Sequence, residues 1–177
     1  MKNIILRYGL IYGAITAIVT ILQQHGIGGI VFNILFAIPF MIFIIVMSGR
    51  KYKAHKGGYA TFVELLQVLM GVFVLASFIS VVIMLVHGQL LSAEAKQTII
   101  DNSIESQLSM FERFVPDDLM TEMEDQIEAG TQNLFDVGNL LKSFVFGIFG
   151  SLIVALISAA IMKKTRPEND KMLDTQL

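Results

Sequence analysis

Long apolar stretches without charge constrain the fold of this chain more than any other feature of its sequence. Residues 27–47, 68–86 and 144–162 contain no Asp, Glu, Lys or Arg. Each is long enough for a helix to cross most of a hydrocarbon layer about 30 Å thick, because a helix rises about 1.5 Å per residue. Only 16% of all residues are charged, whereas about 25% are charged in a soluble domain. The sequence therefore predicts an integral membrane protein.

The apolar stretches predict an all-α fold, an integral membrane four-helix bundle. We expect one domain, residues 1–166, with spans at about residues 4–22, 27–47, 61–86 and 140–162. The first stretch could be a cleaved signal peptide, but no small-residue cleavage pattern follows it, so we interpret it as a retained span. Pro39 removes a backbone donor and predicts a kink in the second span. Residues 167–177 are predicted to form a polar cytoplasmic tail.

Residues 88–139 form the one large segment between predicted spans, and this segment is strongly acidic. Ser92 and Pro116 are typical of helix starts, and Gly130 is typical of a helix end. Apolar residues recur between these signals at helical spacing, namely Ile100, Ile104, Leu108, Phe111, Leu119, Met120, Met123 and Ile127. We expect an extramembrane amphipathic helical hairpin, lying against the membrane surface or against a final helix that begins early, near Thr131.

Basic residues predict the orientation, because Lys and Arg near span ends stay on the cytoplasmic side. Four spans place nearly all cations on one side of the membrane: Lys2, Arg7, Arg50, Lys51, Lys53, Lys56, Lys163, Lys164 and Arg166. We therefore expect both termini in the cytoplasm and the 88–139 segment in the periplasm. The basic loop at residues 50–56 could also recruit anionic lipid headgroups.

Small residues recur every fourth position in the first and last spans. These rows are Gly9, Gly13 and Ala17, and Gly147, Ser151, Ala155 and Ala159. Such rows allow helices to approach closely inside a membrane. We interpret them as helix-packing seams, available to the chain's own helices, to a second copy or to another membrane protein.

Three polar residues lie inside or close to predicted spans: Arg7, Glu64 and Gln67. An acidic residue within a span suggests function, such as a proton or ion pathway. The alternative is structural: Glu64 pairs with Arg7 on the neighbouring helix, or each extends towards the cytoplasmic surface.

Other functional classes find little support in the sequence. The chain has no Cys and no basic excess that would indicate nucleic acid. His25 and His87 are expected on the same side and could bind a metal, but no ligand spacing supports this. Phosphate-loop, calcium-loop and catalytic motifs are missing. We therefore expect no enzymatic activity, no cofactor and no metal.

Several short motifs resemble a family of bacterial membrane proteins, the domain of unknown function 4199. They are a Lys-Asn-Ile-Ile-Leu-Arg-Tyr-Gly start, Arg50-Lys51-Tyr52-Lys53, Gly57-Gly58 followed by Thr61-Phe62, and a last span ending in Leu-Ile-Ser-Ala before lysines. Relatives often carry a proline early in the fourth span, where this chain has residues 147–150. The resemblance implies a four-span protein of the bacterial inner membrane and transfers no catalytic residue.

Together these features indicate a structural or protein-interaction module of the membrane, with the lipid bilayer, itself or another membrane protein as partner. The alternative is a small transporter or channel subunit that uses the Glu64 and Gln67 face of the third span.

Overall fold

The computed structural model describes residues 1–27, 33–111 and 115–164, and it places their side chains except at 33, 34, 110, 117 and 118. The described α-helices are α1 (Lys2–Gln24), α2 (Ile38–His55), α3 (Phe62–Leu90), α4 (Ala93–Phe111), α5 (Asp117–Thr131) and α6 (Val137–Met162). The structure is 86% helical with no strand in the described part, which confirms the all-α prediction. Arg166 and the predicted tail at 167–177 lie outside the described residues.

Four helical stretches in the described residues are long and apolar enough to cross a membrane, as the sequence predicted. They are Lys2–Gln24, Leu35–His55, Phe62–Leu90 and Val137–Met162. The second differs from its predicted bounds, because α2 continues beyond residue 47 into the basic cluster. Ser48 and Tyr52 are buried there, with 0% and 4% exposure, so packing against the bundle extends the helix.

A π-helical turn, Asn33–Ala37, directly precedes α2. Pro39 follows it within the first turn of α2, where it has no backbone N–H to donate to a carbonyl of the preceding turn. The irregularity predicted for the second span therefore takes the form of a wide helical turn just before the proline.

Helix α3 lies at the centre of the bundle and packs against α1, α2 and α6. Leu65, Val68 and Leu69 on α3 are almost completely buried. They share one core cluster with Ile45 of α2 and Ala155 of α6. Burial of such side chains contributes less within lipid than in water, so close van der Waals packing stabilises this core.

The small residues of α1 form its contact face with α3. An added Cβ at Gly9 would lie 2.8 Å from the Leu75 side chain, and one at Gly13 would lie 2.7 Å from the Ala76 carbonyl oxygen. Ala17 has no exposed surface. The two backbones therefore approach so closely at Gly13 that no side chain fits between them.

One end of the bundle, called the basic end below, holds Lys53, Lys56, Lys163 and Lys164. Here the α2–α3 connector is bound to the end of α6 by an isolated antiparallel bridge. Ala60 and Lys164 exchange two backbone hydrogen bonds of 3.0 Å. The Lys53 ammonium also donates to the Met162 carbonyl at 3.0 Å, which satisfies one of the free carbonyls at the end of α6.

Gly57 and Gly58 let the connector reverse at this end. Both have positive φ angles, 71° and 93°, which residues with a Cβ rarely adopt. The Gly58 N–H donates to Lys53 O, and the Gly57 N–H donates to Ala54 O. This is the Schellman arrangement that ends many helices, so the adjacent glycines have a structural cause.

The opposite end, called the acidic end below, holds Gln24, His87 and the packed helices α4 and α5. The Ser92 hydroxyl caps α4 by accepting from the Ala95 N–H at 3.2 Å, as its position predicted. The final helix starts at Val137 and not near Thr131, because Asp136 caps it by accepting from the Gly138 N–H. The extramembrane position of α4 and α5 stays a prediction.

The contrast between Gly13 and Gly147 gives a test of this packing. Gly13→Ala should destabilise the protein by about 1–3 kcal/mol, because the new methyl would overlap the α3 backbone. Gly147→Ala should be neutral or stabilising by up to about 1 kcal/mol, because an added Cβ meets nothing within 4 Å and alanine favours a helix. Thermal unfolding in detergent measures both; equal effects would contradict the α1–α3 contact.

Candidate functional site

Glu64 lies at the first turn of α3, where it acts as a helix cap and as one member of an ion pair. The Thr61 hydroxyl accepts from the Glu64 N–H, and the Glu64 carboxylate accepts from the Thr61 N–H, which completes a capping box. The other carboxylate oxygen lies 2.8 Å from the Lys56 ammonium. This hydrogen bond raises the pKa of Lys56 above its ordinary value.

The structure does not bring Arg7 and Glu64 together as an ion pair. Glu64 is engaged by Lys56, while Arg7 is exposed on α1 and Gln67 is exposed on α3. Gly71, one turn further along α3, faces Ile5 of α1 instead. The local geometry therefore accounts for Glu64 through the cap and through Lys56, without Arg7 or Gln67.

The small-residue row of α6 divides into two halves. Ala155 and Ala159 have no exposed surface and belong to the core formed with α3. Gly147 is exposed and Ser151 is half-buried, and an added Cβ at Gly147 or Gly150 meets nothing within 4 Å. The half towards the basic end thus packs inside the bundle, and the other half faces open space.

That space is a cleft of about 530 Å³ between α1 and α6, with α3 as its floor. We call it the α1–α6 cleft. On α1 its lining consists of Tyr12, Thr16, Thr20 and Gln24, each four residues from the next. On α6 a matching row includes Asn139, Ser143, Gly147 and Ser151. Two helical faces that carry hydroxyl and amide groups therefore meet across one groove.

Several Thr and Ser hydroxyls that line this cleft donate hydrogen bonds to backbone carbonyls of their own helix. Thr16 donates to Tyr12 O at 2.9 Å, and Ser151 donates to Ile148 O at 3.0 Å. Thr16 also meets Ser80 of α3, with 3.2 Å between their hydroxyl oxygens. Such back-bonding satisfies the hydroxyl proton inside an apolar layer and leaves the oxygen able to accept a further hydrogen bond.

Gln24 closes the row on α1 at the acidic end of the cleft. Gln24 is only 8% exposed, and its side-chain oxygen Oε1 is buried without a hydrogen-bond partner among the described residues. The next residue, His25, contacts His87 in an edge-to-face arrangement, with ring centroids 5.7 Å apart. No cluster of three or more metal-ligand side chains occurs in the described part of the chain.

Sequence reasoning missed this cleft, although a signal for it is present. Polar residues repeat every fourth position in both bordering helices, at 12–24 and at 139–151. The interpretation of the α6 row considered residue size alone and started at Gly147. Asn139 and Ser143, which extend the same face towards the acidic end, mark it as polar as well as small.

Two substitutions distinguish the cap from a functional carboxylate. Thr61→Ala should lower stability by about 1 kcal/mol, because it removes the N-cap acceptor. Glu64→Gln should lower it by less than about 1 kcal/mol, because glutamine can still complete the box and the ion pair with Lys56 is exposed. Thermal unfolding measures both; a large loss for Glu64→Gln alone would assign the charge a role that this geometry lacks.

Comparison with known proteins places the chain in a family but gives it no activity. No curated protein and no solved structure matches it significantly. The family model described as "Protein of unknown function (DUF4199)" matches residues 7–164, a range that includes most of α1 and the whole of the other three apolar helices. This match confirms the resemblance inferred from the motifs at residues 50–62 and at the end of α6. The chain therefore belongs to the family of unknown function DUF4199.

Proposed function

We propose that this chain is a non-catalytic interaction module of the bacterial inner membrane, which binds a partner from within the bilayer through the α1–α6 cleft. The single observation that carries the proposal is the unfilled outer half of the α6 row. Gly147 and Gly150 border a groove of about 530 Å³ and have no neighbour within 4 Å of an added Cβ. Spanning helices normally pack their small, polar faces against another surface.

The lining of the cleft supports binding as the activity. Its described lining residues include no Asp, Glu, His, Lys or Arg, and its polar groups are hydroxyls and amides. Such groups orient a partner, and they supply neither a general base near neutral pH nor a metal site. Polar groups that face a groove between spanning helices favour an occupant that satisfies them, because hydrocarbon cannot.

The proposed orientation puts the basic end in the cytoplasm and the acidic end, with α4 and α5, in the periplasm. Lys53, Lys56 and Lys164 all contribute contacts at the basic end. Retention of Lys and Arg on the cytoplasmic side supports this arrangement. The cleft would then open in the outer leaflet, because it extends from Tyr12 towards Gln24 at the acidic end.

The alternative of a transporter or channel has less support. It relies on Glu64 and Gln67, and the structure engages Glu64 with Lys56 and leaves Gln67 exposed. Neither residue belongs to the lining of the α1–α6 cleft.

Single-cysteine labelling tests the orientation, since the chain contains no native Cys. Gln89→Cys should react with a membrane-impermeant maleimide added to cells whose outer membrane has been permeabilised. Lys56→Cys should react only after the inner membrane is broken. Both positions are exposed, so slow reaction through burial is not expected. The opposite pattern would overturn the orientation.

Photocrosslinking tests whether the cleft has an occupant. A benzophenone analogue of phenylalanine at Phe144, which lines the cleft, should give one discrete adduct in native membranes. The same analogue at Phe146, which is 75% exposed, serves as the matched control and should give a broad mixture of lipid adducts. Intact-mass measurement of the purified protein reads both. If the two positions give the same mixture, the cleft has no dedicated partner and the proposed function is wrong.

A further inference from the structure

The basic end of the bundle carries an excess of positive charge that the described chain does not neutralise. Besides the four lysines named above, the last turns of α2 place Arg50 and Lys51 there, and both are exposed. Glu64 is the one acidic residue that the described chain has outside residues 88–139, and it is paired with Lys56. Six cations therefore share one carboxylate at this end, and an external anion would relieve their mutual repulsion.

Three of these cations lie at the contact between α2 and α6. An added Cβ at Gly49 would overlap the Met162 side chain, so the two helices touch near the end of α6. Lys53 bridges this contact by donating to the Met162 carbonyl. Arg50 directly follows Gly49 in the chain, and Lys163 directly follows Met162. We call Arg50, Lys53 and Lys163 the basic junction.

The basic junction combines a fixed cation with two exposed ones. The Lys53 ammonium has three N–H groups, and because one of them donates to the Met162 carbonyl, the ammonium is held in place and can still donate to a further acceptor. Arg50 lies three residues before Lys53, on the same side of α2. Arg50 and Lys163 are exposed, and neither meets a carboxylate among the described residues. A phosphate suits such a group of cations, because it accepts several charge-assisted hydrogen bonds at once.

The position of the basic junction along the bundle favours the phosphate of a lipid over a soluble anion. Ile161, two residues before Lys163, is 78% exposed and belongs to the apolar surface of α6. At about 1.5 Å per residue, Lys163 begins about 3 Å beyond this apolar position. Long cationic side chains at such a boundary extend from the hydrocarbon into the headgroup layer, where the phosphates of a bilayer lie.

We infer that the basic junction binds an anionic phospholipid, whose phosphate is held by Arg50, Lys53 and Lys163. The inference concerns a different surface from the α1–α6 cleft and does not depend on the proposed function. The other side of α2 provides a contrast. Lys51 is also exposed, but it lies two residues after Gly49, about 200° around the helix, and so faces away from α6.

Quenching of a single tryptophan by brominated phospholipids tests this inference in the full chain, which has no native Trp. Ile161→Trp places a reporter on the exposed surface of α6 beside the basic junction. Leu141→Trp, at a position that is 54% exposed, places a control at the acidic end of the same helix. Bilayers contain brominated phosphatidylglycerol, which is anionic, or phosphatidylcholine with the same chains, which is zwitterionic. Both leaflets carry the probe, so the orientation of the chain does not affect the result.

We expect Ile161→Trp to bind the anionic lipid roughly three- to tenfold more strongly than the zwitterionic lipid, as attraction by a few cations near a membrane surface predicts. Leu141→Trp lies beside the single cation Lys142, and its preference should stay below about twofold. Equal binding of both lipids at Ile161→Trp, or the same preference at both positions, would overturn the inference.

Substitution of the cations locates the site. Added to Ile161→Trp, the pair Arg50→Gln and Lys163→Gln should remove the preference for the anionic lipid, whereas Lys163→Arg keeps the charge and should retain it. Arg50→Gln alone should weaken the preference more than Lys51→Gln, which removes the same charge from the other side of α2. These positions are exposed, and thermal unfolding checks that each variant folds. Equal losses from Arg50→Gln and Lys51→Gln would show attraction to the summed charge and would exclude a site at the basic junction.

Inorganic phosphate separates a lipid headgroup from a soluble anion. At matched ionic strength it should weaken the preference no more than sodium chloride does, because both then act by screening. If phosphate alone abolishes the preference, the basic junction holds a free phosphate and the lipid inference is wrong. No residue of the basic junction lines the α1–α6 cleft, so any of these failures leaves the proposed function to its own photocrosslinking test.

Discussion

The close approach of α1 to α3 is the contact on which the rest of the bundle depends. At Gly13 the two backbones are so near that an added Cβ would lie 2.7 Å from the Ala76 carbonyl oxygen. Within lipid, apolar side chains gain little by leaving one hydrocarbon environment for another, so helices associate through such dense contacts. With α1 fixed to one side of α3, the core residues Leu65 and Leu69 remain available to α2 and α6. The central position of α3 follows from this division of its surface.

The remaining contacts are distributed unevenly along the bundle, and this creates the cleft. At the basic end, the Ala60–Lys164 bridge and the Lys53 hydrogen bond to Met162 hold α2, α3 and α6 together. In the middle of α6, Gly147 faces empty space, whereas nearer the acidic end Leu140 is buried and Asn139 donates to the Gly130 carbonyl. The cleft lies beside α1 because α6 packs mainly against α3. The groove is thus a consequence of where the polar contacts lie.

Uncharged length and helix-capping residues made the fold predictable from sequence. The four apolar helices and the starts of α4 and α5 were anticipated, because each has a local signal such as Ser92 or Pro116. The end of α2 was not predicted correctly. The helix continues to His55 because Ser48 and Tyr52 are buried in tertiary contacts that the sequence does not reveal. The same holds for Glu64. Its predicted depth in the membrane suggested Arg7 of α1 as its partner, whereas the structure pairs it with Lys56, which is close to it in sequence.

The candidate site was harder to predict because one sequence pattern produces two structural results. The row from Gly147 to Ala159 has uniform spacing, yet Ala155 and Ala159 are completely buried while Gly147 is exposed. The two halves of the row differ in whether another helix lies opposite them, and the spacing of residues along the sequence cannot specify this. Hydroxyls such as Thr16 can satisfy their protons on their own helix and so tolerate an empty groove. The Gln24 oxygen has no such intrahelical donor, since the backbone N–H groups of a helix interior are already bonded. This oxygen is therefore buried without a hydrogen-bond partner among the described residues, an irregularity that the sequence pattern gives no means of anticipating.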